Sequence, residues 1–233
     1  MEGLARLIDH APLFPPASLD MPAAVAEDAR ARASEHAWML ARFVCPASRL
    51  PELAAELGEE SAPAVSAVLD GGAWATSRLT VEALEMVGPP DFEPPGIELF
   101  CEVPLEDDWR DTLAAVAAAG AKGKLRCGGA RVPSVQEVAA FFVAARDLEL
   151  PFKATAGLHH PVRSEHEHGF LNFLTAADLA AAGADEAELR DVLAATDAAA
   201  LGTGSAKGRE LFVSIGSCSF SEPVADLQGL GLL

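Results

Sequence analysis

Short, continuously apolar segments recur along the chain, each separated from the next by a stretch of helical composition. AWMLARFV (37–44), PAVSAVLD (63–70), GIELFCEV (96–103), AKGKLRC (121–127), PFKATAG (151–157) and ELFVSIG (210–216) have the apolar character of strands buried on both faces. The stretches 48–57, 77–87, 107–119, 134–148, 172–182, 185–198 and 222–229 read as helices, and a first helix runs from Asp20, which can cap it, to Ser34. Buried strands separated by helices cannot pair as hairpins, so right-handed crossovers and a parallel sheet follow. With GFLNFLT (169–175) as a seventh strand and the N-terminal LARLIDHA as an eighth, the pattern predicts a compact TIM-like (β/α) barrel with room for irregularity. An open doubly wound parallel sheet is the alternative. The barrel is favoured because no G-x-G-x-x-G follows the first strand and because polar residues are spread over many strands.

A chain of 233 residues, half of them hydrophobic, has the size of one such domain, residues 1–233. Its formal charge of −18 repels phosphate backbones and anionic lipid, which argues against nucleic acid and membrane surfaces as partners and for a small metabolite. Acidic stretches at 52–60, 107–111 and 185–191 read as solvated helix faces. No apolar run reaches the ~18 residues of a membrane span, and the start has no signal-like h-region. Cys45, Cys101, Cys127 and Cys218 show no C-x-x-C spacing and read as free thiols in a reducing compartment, so a cytoplasmic location is expected. A homo-oligomer stays open.

Parity within the strands carries the functional signal, because residues two apart on a strand point the same way. Glu98 and Glu102 share one face; so do Lys122, Lys124 and Arg126, and so do Lys153 and Thr155. Those faces are expected inside the barrel, with Arg42 near the end of the first clear strand and Asp70 at the end of the second. Buried charges must pair with one another or with a ligand. Most of the set falls in the C-terminal halves of the strands, where parallel-sheet enzymes place their chemistry. A structural ion-pair cluster is the competing reading.

Four of the six histidines, His159, His160, His166 and His168, lie within one ten-residue span after PFKATAG, in a segment that also carries Arg163, Glu165, Glu167 and Asn172. Such a loop offers a general acid/base or metal ligands, although its spacing matches no established zinc pattern. The loop GSCSFSEPVADLQ presents Ser217 and Ser219 ahead of a helix that Ser221 could cap, an arrangement suited to an anion. LGTGSAKG (201–208) reads as a mobile connection and GPPDFEPPG (88–96) as a stiff one.

FKATAG at 152–157 resembles the strand of deoxyribose-phosphate-type class I aldolases in which a lysine in a K-T-S-T-G-like context forms a Schiff base. The resemblance covers six residues; Leu-His-His-Pro follows the glycine, and no second lysine stands on a later strand. It implies that Lys153 forms the imine, that Lys124 is the neighbouring cation lowering its pKa, and that Glu102 or Asp70 moves protons. The whole chain is also similar to members of an uncharacterised bacterial (β/α)-barrel family, which implies the fold alone.

The sequence therefore predicts an enzyme, a lysine-dependent carbon–carbon lyase on a small anionic carbonyl or phosphorylated metabolite. Lys153, Lys124, Glu102 and His159 are the catalytic candidates; Arg42, Asp70, Glu98, Arg126, Asn172, Ser217 and Ser219 are the substrate-binding ones. This chemistry requires no cofactor. One alternative is a metal-dependent lyase or hydrolase with Zn or Mn on His160, His168 and Glu102; another is a non-catalytic metabolite-binding barrel.

Overall fold

The computed structural model describes residues 2–58, 62–75, 78–92 and 96–233, and its strands close into one eight-stranded parallel barrel. In chain order the strands are β1 Ile8–His10, β2 Leu40–Pro46, β3 Val65–Val68, β4 Val81–Val87, β5 Glu98–Glu102, β6 Lys122–Arg126, β7 Phe152–Thr155 and β8 Phe212–Ser217. Each pairs with its sequence neighbours, and β8 closes on β1 through Ile8↔Ile215 and His10↔Ser217. The TIM-like architecture expected from the alternation is the one observed. No helix among the described residues is long and apolar enough to cross a membrane.

The helices are α1 Met21–Arg32, α2 Leu50–Leu57, α3 Trp109–Ala118, α4 Val135–Asp147, α5 Phe170–Ala181, α6 Glu186–Ala194, α7 Ala206–Leu211 and α8 Ser221–Gly229. Their starts follow local chemistry. Asp20 accepts from the Ala23 amide at 3.0 Å to cap α1, and reciprocal capping boxes at Ser134/Glu137 and Asp185/Glu188 begin α4 and α6. The crossovers at 69–80 and 88–97 carry no helix among the described residues, which is the barrel's irregularity.

Four expectations are corrected. VEALEMV, whose Ala, Glu, Leu and Met favour helix, forms β4, because barrel closure pairs it on both edges with β3 and β5. GFLNFLT is not a strand but the start of α5, which buries nearly every residue of its first two turns. LGTGSAKG ends in α7, capped by the Ser205 side chain on the Gly208 amide at 3.2 Å. Ser221 is the first residue of α8 and does not cap it; the Ser219 hydroxyl instead accepts from the Glu222 amide at 3.3 Å. Residue 77 of the expected helix, residues 59–60 of the acidic stretch and 93–95 of the Pro-rich connection lie outside the described residues.

The apolar core is the annulus between sheet and helices. Leu84, Leu99, Cys101, Leu125, Phe152, Ala154 and Ile215 point outward into it from the strands. Its densest part is an aromatic cluster: Phe142 of α4 packs on Phe152 of β7 (4.9 Å between ring centroids), on Phe173 of α5 (5.4 Å) and on Phe212 of β8 (6.2 Å). This leaves the opposite faces of the same strands for the barrel interior, where the charges lie.

Candidate active site

The interior is filled by an alternating ladder of charges. From the C-terminal mouth inward, Arg126 faces Glu102 (3.4 Å), Glu102 faces Lys124 (3.1 Å), and Lys124 faces Glu85 (3.4 Å). Glu85 accepts from Lys153 at 2.8 Å, and Lys153 donates to Asp9 at 2.5 Å. Asp9 lies 3.6 Å from Arg42, which bonds Glu98, which in turn bonds Lys122. Register explains the sequence of rungs. Glu102 pairs with Lys124 across β5 and β6, and Lys124 pairs with Lys153 across β6 and β7, so parity puts all three side chains inside.

Exposure falls from both ends towards the middle. The side chains of Arg126, Glu102 and Lys124 are 53%, 15% and 8% exposed, whereas those of Lys153 and Asp9 are fully buried. At the N-terminal mouth, Glu98 and Lys122 rise again to 31% and 28%. Access from the C-terminal mouth therefore reaches Lys124 before any other lysine of the ladder.

The central rungs are fully satisfied. Ser66 donates to Glu85 at 2.7 Å, and Ser214 donates to Asp9 at 2.8 Å. The Arg42 amide also approaches Asp9, at 3.3 Å. Phe100 lies under the Lys153 ammonium, 5.2 Å from ring centroid to Nζ. Burial works against charge on Glu85, but Lys153 and Lys124 outweigh it and hold the carboxyl down at about 2. Burial likewise disfavours the Lys153 ammonium, yet Asp9 and Glu85 outweigh it and raise the pKa above the usual lysine range. The expected depression of Lys153 by Lys124 is thus replaced by a cation locked between two carboxylates.

The other sequence candidates divide by place. Arg42 lies in the first half of β2, not near its end, because the strand starts at Leu40; Arg42, Glu98 and Lys122 gather with Glu82 towards the N-terminal mouth, away from Lys124. Asp70 is exposed and ties a turn, accepting from the Ser48 amide at 2.9 Å and from the Ser48 hydroxyl. Asn172 is buried in α5 and bonds the Arg163 amide and the Val192 and Ala195 carbonyls, all by its side chain. Ser217, also buried, donates to the Ser219 carbonyl at 2.7 Å. His159 sits on the C-terminal face with Nδ1 3.8 Å from the Cys218 thiol.

The histidines of the metal alternative are engaged elsewhere. His160 bonds Asp226 of α8 at 2.6 Å, and this hydrogen bond raises its pKa. Both ring nitrogens of buried His168 have partners, the Pro133 carbonyl at 2.8 Å and Arg163 at 3.0 Å. Among the described residues no three His, Cys, Asp or Glu side chains converge as a metal centre requires.

Sequence reasoning missed Asp9, Glu85, Ser66 and Ser214, the centre of the ladder, and also His10. Asp9 and Glu85 had a signal, a carboxylate inside a short apolar segment, but one lay in the least certain strand and the other in a stretch read as helix. His10, the fully buried last residue of β1, bonds Asp28 of α1 at 2.8 Å, and Arg32 clamps the other Asp28 oxygen at 2.6 Å. Depressions of about 600 Å³ between α1 and α8 and about 470 Å³ beside α2 border neither Lys124 nor Lys153. Comparison with protein-family models, curated proteins and solved structures yields no match to this chain.

Proposed function

We propose that the chain is an enzyme acting on a small anionic carbonyl compound through a lysine imine, as a carbon–carbon lyase of the aldolase type. The observation carrying this reading is the exposure gradient of the ladder. Lys124 is in contact with two carboxylates, Glu85 and Glu102, and it opens toward the C-terminal mouth, the end at which parallel barrels hold their chemistry. Lys153, the imine lysine implied by the aldolase resemblance, is instead the buried cation that fixes Glu85 and Asp9 in place.

In this reaction Glu102 takes a proton from the Lys124 ammonium, and the free amine adds to the substrate carbonyl. The carbinolamine loses its hydroxyl as water, with the proton returned by Glu102, and leaves a C=N bond. The protonated imine draws in the electron pair of the Cα–Cβ bond, which breaks as the β-hydroxyl gives its proton to a base such as His159, releasing one carbonyl product and leaving an enamine on Lys124. The base returns that proton to the enamine carbon, and water hydrolyses the resulting iminium to release the second carbonyl product and restore the Lys124 ammonium. The chemistry uses no cofactor.

Borohydride trapping with a panel of small keto acids and sugar phosphates, followed by peptide mass mapping, tests the reading. The expected result is an adduct on Lys124 that disappears in Lys124→Met while circular dichroism stays unchanged. An adduct on Lys153 would move the imine to the strand that resembles the aldolases. Thermal shifts with small anions, with no adduct and no turnover for any compound, would sink the lyase reading in favour of a metabolite-binding barrel.

A further inference from the structure

We infer that Arg163 is the anion anchor of the C-terminal face, the group that receives the carboxylate or phosphate of the ligand. The choice of substrate end rests on the lysine reading above; the anion site itself does not. Arg163 is half-buried, and among the described residues no carboxylate lies within ion-pairing distance of it. This holds although the chain carries a formal charge of −18 and the same loop contains Glu165 and Glu167.

The guanidinium is held from behind. Arginine only donates, so the 3.0 Å contact makes His168 Nδ1 an acceptor. The protonated Nε2 then donates to the Pro133 carbonyl at 2.8 Å, which fixes a neutral His168 inside the protein. Burial and the Arg163 charge both lower the His168 pKa, consistent with that tautomer.

The backbone is fixed as well. The Arg163 amide donates to Asn172 Oδ1 at 2.9 Å, and the Asn172 amide group is anchored on Val192 and Ala195. Gly169 permits this close approach, since a Cβ there would lie 2.3 Å from Asn172 Oδ1 and 2.5 Å from the Arg163 nitrogen. Among the described residues the remaining guanidinium N–H groups have no protein partner, so a planar fork with donors to spare is held rigid before any ligand arrives.

Topology puts this fork at the proposed mouth. Arg163 belongs to the loop after β7, the strand of Lys153, and Pro133 to the loop after β6, the strand of Lys124. The cations first expected to hold the anion are committed otherwise, Arg126 to Glu102 and Arg42 to Glu98.

Isothermal titration of the full chain at low salt, with inorganic phosphate in one arm and acetate in the other, tests the anchor and separates phosphate from carboxylate recognition. At least one anion is expected to bind, and Arg163→Gln is expected to weaken it roughly tenfold or more. Arg163→Lys, which keeps the charge but loses the fork, should fall between the two, and Arg190→Gln, the same charge change on exposed α6, should bind like wild type. Wild type that binds neither anion at tens of millimolar, or binding unchanged in Arg163→Gln, would overturn the anchor. If Arg163→Gln does not fold, wild-type affinity in Arg163→Lys overturns it instead. Arg163-dependent anion binding without any borohydride adduct sinks the lysine reading and leaves the anchor standing.

Discussion

Glu85 is the residue on which the interior depends, because it is the acid shared by both buried lysines. Glu85→Gln keeps the shape and an acceptor for Ser66 but leaves Lys153 with Asp9 alone and Lys124 with Glu102 alone. Breaking a buried ion pair on one side costs about 3–5 kcal/mol, so urea denaturation at pH 7 is expected to show a loss of that size. The acid dependence follows from the direction of the shift. A folded value of about 2 lies below the ordinary 4.5, so between these values the unfolded chain binds the extra proton. The Glu85 contribution is complete above about pH 4.5 and is lost as pH falls towards 2, and the gap between wild type and Glu85→Gln should narrow over that window. His160 has the opposite sign: the hydrogen bond it donates to Asp226 raises its pKa, so its contribution is complete below its ordinary 6.5 and is lost as pH rises through the raised value. Both partners are well exposed, so His160→Ala should cost under about 1 kcal/mol at pH 6 and nothing measurable at pH 9, as read from thermal unfolding at the two pH values.

The elements owe their positions to the outer annulus more than to the ladder. Phe142 joins α4 to β7, β8 and α5 through ring contacts, so Phe142→Ala opens a cavity where four elements meet and should cost about 3–5 kcal/mol in the same denaturation assay. Ser134→Ala, which removes the cap of the same helix and touches no core atom, should cost about 1 kcal/mol. At this scale the sequence was legible where one signal dominated: Asp20 marked the start of α1, and the charged faces of β5, β6 and β7 followed from period-two parity. It was illegible where local preference and tertiary closure disagreed. VEALEMV has helical composition, and only pairing with β3 and β5 makes it a strand, so Glu85 was hidden inside a supposed helix face. In GFLNFLT the apolar run is equally compatible with a buried helix, which α5 is; Asn172 then serves the packing of α5 and α6 and holds the Arg163 loop. The candidate site was legible as a set of residue types on the right strands. Its division into an N-terminal and a C-terminal end was not, because that depends on where β2 begins.

At the scale of the whole molecule, a barrel interior that most sequences could fill with Val, Ile and Leu is here filled with charge. Stability alone gives little reason for this, since well-packed apolar replacements of buried ion pairs are often neutral or stabilising, whereas removing one partner is costly. The ladder should therefore behave as a coupled unit whose parts cannot be removed singly. Lys153→Met strands Asp9 and Glu85 and should cost about 3–5 kcal/mol, similar to Glu85→Gln. In Lys153→Met/Glu85→Gln the uncompensated Glu85 charge is gone, Ser66 still has its partner and Asp9 keeps Ser214 and Arg42. The double variant should then be no less stable than the worse single one, so the two losses fall short of additive by at least the smaller of them, about 3–5 kcal/mol, in a double-mutant cycle read by urea denaturation. Additive losses would mean that the two residues stabilise the barrel independently, and the view of the interior as one polarised framework behind Lys124 would fall with that result.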